Sequence, residues 1–174
     1  MKAKLYIEEV KIEKYMQFRN DVRYKKYFRI IDDANKILPE IPIPENPVSV
    51  DTGYIEVGEP DRYSPVIVTG NSLYTHTVIG FILTESETDC HLLSADTDGY
   101  TVDMAVYLGI FNAERVKDVI DETDISSKIN HNQIIIPGFA SKMKEEVEVL
   151  TGWRTIVGPV CAVELPIFIA TQWR

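Results

Sequence analysis

VIVTGNS, residues 66–72, decides how this 174-residue chain is read. Val66, Ile67 and Val68 form a continuous β-branched run, the pattern of a strand buried on both faces. Thr69, Gly70, Asn71 and Ser72 make a loop of small residues, and a helical stretch is predicted from there through Leu83. The same rhythm recurs three times downstream. Residues 91–95 lead into Asp96-Thr97-Asp98-Gly99 and a helix over about 101–108. A second helix over about 113–122 takes Asn112 as its N-cap. Ile134-Ile135-Ile136 leads into Pro137-Gly138 and a helix that ends at Gly152. Residues 153–157 lead into Gly158-Pro159. Apolar strands alternating with helices predict an α/β fold, a Rossmann-like, mainly parallel sheet with helices on both faces. Residues 53–57 are expected to add an edge strand.

Upstream the pattern changes. Ile12, Tyr15, Met16, Val22, Tyr27, Ile30, Ile31, Ala34, Ile37 and Leu38 fall at helical spacing, as one long amphipathic helix or a broken pair. Pro39 stops it, and residues 39–47 hold four of the nine prolines, a stiff extended linker. Three parts follow: an N-terminal helical segment over 1–38, the linker over 39–47, and the main domain over 48–174. The helix's apolar stripe must be covered by the main domain or by a second chain, and a homodimer through this helix is one expectation.

Charge divides the chain at the same place. Residues 1–40 carry ten basic and seven acidic side chains, whereas 41–174 carry eight and twenty. The net charge of -9 argues against nucleic acid or an anionic membrane as the main partner. No apolar run approaches the roughly 18–20 residues of a membrane span, and the N-terminus lacks a signal-peptide core. Cys90 and Cys161 are too few for a disulfide framework or a four-cysteine metal cluster. A cytoplasmic protein without an iron–sulfur cluster is the expectation.

Catalytic signatures are missing. His76, His91 and His131 have no zinc-helix spacing, and no nucleophile elbow, P-loop or dinucleotide fingerprint occurs. Asp96, Asp98 and Asp103 read either as a carboxylate cluster for a metal or as turn and cap residues. What remains is the edge where the four strand-end loops meet. In such sheets ligands bind there, at the topological switch point. Glycine in every loop permits close backbone approach and leaves N–H groups for an anion, or simply makes the turns tight.

Three segments carry a resemblance. GYIEVGEPDRYSPVIVTGNSLYTHTV (53–78), LLSADTDGYTVDMAVYLGIFNAERV (92–116) and IIIPGFASKMKEEVEVLTGWRTIVGP (134–159) are similar to the C-terminal domain of the corrinoid iron–sulfur protein large subunit. That protein carries methyl groups in the carbon monoxide dehydrogenase/acetyl-CoA synthase system. The resemblance, over about residues 47–170, implies a domain that binds a corrinoid from its lower face, with the nucleotide tail among the strand-end loops. It implies that Thr69, Gly70, Asn71 and Ser72 form the first corrinoid-contacting loop. Gly99, Tyr100, Thr101, Val102, Asp103 and Met104 match the segment beneath the ring, and Pro137, Gly138, Gly158 and Pro159 match loops bordering the tail. Met104 falls where the family places a residue near cobalt's lower face, so it is a candidate weak thioether contact or an apolar shield. The family's cluster module and central barrel have no counterpart here. The implied function is a stand-alone corrinoid (cobalamin or cobamide) module in methyl transfer, partnered by a methyltransferase or a barrel-type corrinoid protein subunit. The competing readings are an assembly module with a decayed corrinoid site and a nucleotide-like small-molecule binder.

Overall fold

A computed structural model describes residues 15–173. Five strands form one sheet in the order β1-β3-β2-β4-β5: β1 (Gly53–Val57), β2 (Val66–Gly70), β3 (Cys90–Ala95), β4 (Gln133–Ile136) and β5 (Arg154–Val157). All neighbours are parallel except β1, which pairs antiparallel with β3 from Gly53↔Ser94 to Val57↔Cys90. The expected α/β architecture and its added edge strand are both present.

Strand alternation divides the core in two. Ile67, Leu92 and Ile135 face one side, where α1 (Lys25–Ile37), α2 (Leu73–Glu85) and α7 (Leu165–Gln172) pack. Val66, Val68, Leu93, Ile134 and Ile136 face the other, covered by α3 (Val102–Tyr107), α4 (Ala113–Thr123), α5 (Ile125–Lys128) and α6 (Lys144–Thr151). Both faces are buried, which is why these strands read as unbroken apolar runs. Local signals set the helix ends: Asn112 accepts from the Arg115 N–H at 3.0 Å, and Gly152 closes α6 with φ +74°.

The N-terminal segment is broken rather than continuous. Two short 3-10 turns (Met16–Phe18 and Val22–Tyr24) precede α1, and a third (Leu38–Glu40) ends it at Pro39. Tyr15, Phe28, Ile30, Ile31, Ala34 and Leu38 are buried in the same cluster as Ile82, Leu83 and Phe168 of the main domain. The chain's own domain therefore covers the stripe, and its burial gives no reason for the expected homodimer. Val22, assigned to the stripe, is 86% exposed because it lies in the second 3-10 turn. Ile12 lies outside the described residues.

Helix α7 had no counterpart in the sequence reading. Pro166 in its first turn suits a helix start, and Trp173 beyond its end donates from Nε1 to the Tyr63 carbonyl at 3.0 Å. Among the described residues no helix is long and apolar enough to cross a membrane.

Candidate functional site

The chain leaves β2 through α2 on one face of the sheet and leaves its neighbour β4 toward α6 on the other. Adjacent loops that diverge to opposite faces open a crevice at the strands' carboxyl ends. A cavity of about 380 Å³ lies there. Its floor is Ile67, Thr69 and Ile135; its walls come from Tyr74, Val78 and Ile79 on α2 and from Pro137, Phe139, Gly158 and Pro159 after β4 and β5. Leu38 and Ile43, from the N-terminal segment and linker, complete the wall.

The lining is mostly apolar, and among the described residues Asp103 is its charged member. Thr69 is 1% exposed, and its Oγ1 has no hydrogen-bond partner among the described residues. Such a hydroxyl is costly to bury without a partner. Cys161 also lines the cavity, where burial pushes its thiol up to about 11. Burial likewise raises the Tyr74 phenol, with a smaller contribution from Cys161.

Of the residues expected at the site, Thr69, Thr101, Val102, Asp103, Pro137, Gly158 and Pro159 line this cavity. Asn71 does not; it is 3% exposed and ties the loops together. Its Oδ1 accepts from the Thr97 N–H at 2.9 Å, the Thr97 hydroxyl at 3.0 Å and the Gly99 N–H at 3.2 Å. Its Nδ2 donates to the Val50 carbonyl and to Asp96 Oδ1, both at 3.3 Å. Ser72 is buried and forms a bridge to Ser49. With the Val50 N–H on the Asn71 carbonyl and the Leu73 N–H on the Val48 carbonyl, residues 48–50 are stitched across the β2–β3 side of the edge. Among the described residues, the β2–β4–β5 side of the edge stays open.

The glycines serve chain packing here rather than an anion. A Cβ on Gly70 would fall 2.7 Å from the Thr97 side chain, and one on Gly99 2.6 Å from the Val48 backbone. One on Gly138 would meet Pro159 at 2.7 Å. The Gly138 N–H donates to Pro159 and the Gly158 N–H to Ile136, so neither is left for a ligand. Tyr100 belongs to the turn closed by Thr97. Met104 is 43% exposed on α3 and is not part of the cavity lining.

Asp96 acts as a turn residue: it accepts from the Asp98 N–H at 3.0 Å and lies 4.0 Å from Arg115. No group of three metal-ligating side chains occurs among the described residues. His91 and His131 hold the opposite edge, donating to the Asp61 and Ser64 carbonyls at 2.8 and 3.0 Å. His76 meets Ser94 Oγ at 2.9 Å, and burial lowers its basicity.

Sequence reasoning missed the α2 wall and the linker wall. Tyr74, Val78 and Ile79 recur at helical spacing immediately after the small-residue loop, a signal that marks a buried face without saying what it faces.

An open, doubly wound α/β sheet with an apolar cavity at its switch point defines a Rossmann-like class of domain. Within that class, the chain belongs to the family described as CO dehydrogenase/acetyl-CoA synthase delta subunit, which matches residues 11–169. Relatives named acetyl-CoA decarbonylase/synthase complex subunit gamma are similar to it. That of Methanopyrus kandleri is 42% identical over 129 residues, 74% of this chain and 28% of the relative. That of Methanocaldococcus jannaschii is 38% identical over 131 residues, 75% and 27%. That of Archaeoglobus fulgidus is 32% identical over 153 residues, 84% and 32%. The chain thus spans about a third or less of these relatives' length.

Two expectations are corrected by these matches. The family is the delta subunit, and the relatives are gamma subunits, of this system rather than the corrinoid iron–sulfur protein large subunit. The stand-alone function also gives way, because the relatives are named as subunits of a complex. The coarser expectation, the carbon monoxide dehydrogenase/acetyl-CoA synthase system, holds.

Proposed function

We propose that this chain is a complex-bound module of the acetyl-CoA decarbonylase/synthase type, whose carboxyl-edge cavity anchors a corrinoid while a partner subunit supplies the rest of the site. The observation that carries the reading is the apolar cavity with the Thr69 hydroxyl orphaned in its floor. An orphaned buried hydroxyl suits a ligand that brings one polar atom into an otherwise apolar space. Of a corrinoid, one amide arm would fit a space of about 380 Å³, while the macrocycle and the remaining polar groups would stay outside it.

When bound, the group supplies a cobalt centre able to accept and release a methyl group. This chain's residues hold and shield. Val78, Ile79, Pro137 and Pro159 would exclude water from the bound group, and Thr69 would meet its buried polar atom. Asn71 keeps the loops after β2 and β3 at a fixed separation, so the cavity mouth is preorganised. Membership in the family and the gamma-subunit names of the relatives support work within an assembly.

The test is anaerobic reconstitution of the full chain with aquocobinamide and with cobalamin, followed by gel filtration and a visible spectrum. Corrinoid absorbance travelling with the protein is expected. A colourless protein after both treatments would overturn the reading.

A further inference from the structure

The cavity has one wall that is built differently from the others. Residues 39–47 run from α1 to the stitched segment at 48–50, and they are anchored at both ends. At one end Leu38 is 6% exposed in the core, and the Ile41 N–H reaches the Leu38 carbonyl at 3.2 Å. At the other, the Leu73 N–H holds the Val48 carbonyl and the Val50 N–H holds the Asn71 carbonyl, each at 2.8 Å. Between them, Pro42, Pro44 and Pro47 have no N–H to offer, and residues 42–47 make no hydrogen bond among the described residues. Ile43 is the member of this stretch that lines the cavity, and it remains 61% exposed.

A segment pinned at both ends, with an unbonded centre, opens locally at low cost. Proline keeps it extended, so it moves as a strap rather than collapsing into the cavity. The geometry points to residues 39–47 as the movable wall of the cavity, with Ile43 the residue that seals the occupant from water and selects for an apolar one. This inference concerns the same cavity as the proposed corrinoid site, but it stands on the strap's own anchoring.

Cys161 provides a native reporter, since it lines the cavity whereas Cys90 is fully buried. Because Cys161 is itself half-buried, the ratio of each variant's iodoacetamide alkylation rate to the wild-type rate, at about pH 8.5 to raise the thiolate fraction, reads the strap's opening. The rate is measured on the full chain for wild type, Ile43→Ala, the doubly loosened Pro42→Gly/Pro44→Gly variant and Ile55→Ala, an exposed control outside the cavity. Because 61% of Ile43 is already exposed, removing its covered remainder is expected to speed labelling about three- to eightfold. The proline variant is expected to label faster as well, and Ile55→Ala at the wild-type rate. Melting temperatures check that every variant is folded. Equal rates in wild type, Ile43→Ala and the proline variant would overturn the strap. Adding aquocobinamide separates the two ideas: faster labelling in the variants without protection by the corrinoid keeps the strap and removes the corrinoid reading.

Discussion

Replacing Thr69 with valine is expected to move stability and ligand affinity in opposite directions. Valine keeps the shape and removes the Oγ1 that has no partner in a site 1% exposed. A buried polar group left unsatisfied costs ~1–3 kcal/mol, and strands favour valine at least as well as threonine. Thr69→Val is therefore expected to raise the free energy of unfolding by ~1 kcal/mol, the lower end of that range, since part of the cost is relieved by the open cavity. If the hydroxyl meets a polar atom of the ligand, its loss removes one hydrogen bond, ~0.5–1.5 kcal/mol, or about two- to twelvefold in affinity. Urea unfolding followed by tryptophan fluorescence, to which the buried Trp153 contributes, reads the first effect. Spectrophotometric titration with aquocobinamide reads the second. Destabilisation by Thr69→Val would refute the reasoning, because it would mean the hydroxyl already has a partner in the folded protein.

Other outcomes follow from the same geometry. Asn71→Ala leaves the buried Thr97 and Gly99 N–H groups without their acceptor and is expected to cost ~2–5 kcal/mol in urea unfolding; a loss below ~1 kcal/mol would contradict the hub role. Phe28→Ala is expected to cost ~3–5 kcal/mol, by the same amount at low and high protein concentration, because the chain's own domain covers α1. Concentration dependence would instead place the stripe in a dimer interface. Burial lowers the His76 pKa below its usual 6.5, so the unfolded chain takes up a proton before the folded one does. Its contribution is intact above about pH 6.5 and declines as pH falls toward the lowered folded value. Parallel unfolding curves from pH 7.5 to about 5 should show a smaller decline in His76→Gln than in wild type; identical slopes would remove His76 as a cause.

The central strands β2, β3 and β4 were legible because they are buried on both faces, and a run such as Ile134-Ile135-Ile136 has no other comfortable home. The edge strand β1 was expected only as an addition to the parallel set, and it is present, paired with β3 alone. Helix α7 was not, since Leu165, Pro166, Ile167 and Phe168 are all buried and leave no polar face to mark a helical period. The stripe of α1 announced that something covers it; nothing local to residues 15–38 said that the cover is α2 and α7.

At the site, the loops were legible and the roles of their residues were less so. Glycine reads as room for a ligand, yet Gly99 makes room for Val48 and Gly138 for Pro159, neighbours brought together only by the fold. Asn71 reads as a ligand contact in a small-residue loop, yet all of its hydrogen-bonding capacity faces inward. Thr69 is the residue whose assignment gained most from the structure, because only three dimensions show that its hydroxyl is orphaned. Ile43, in a proline-rich linker, carried no signal that it would become a wall.

A corrinoid held as proposed has a defined location, the carboxyl ends of β2 and β4. Anomalous diffraction at the cobalt edge, from crystals of the full chain grown with aquocobinamide under anaerobic conditions, tests both at once. A cobalt peak is expected at the mouth of the cavity bordered by Thr69, Pro137 and Pro159. A peak at the amino edge near His91 and His131, or no peak from crystals of folded protein, would contradict it.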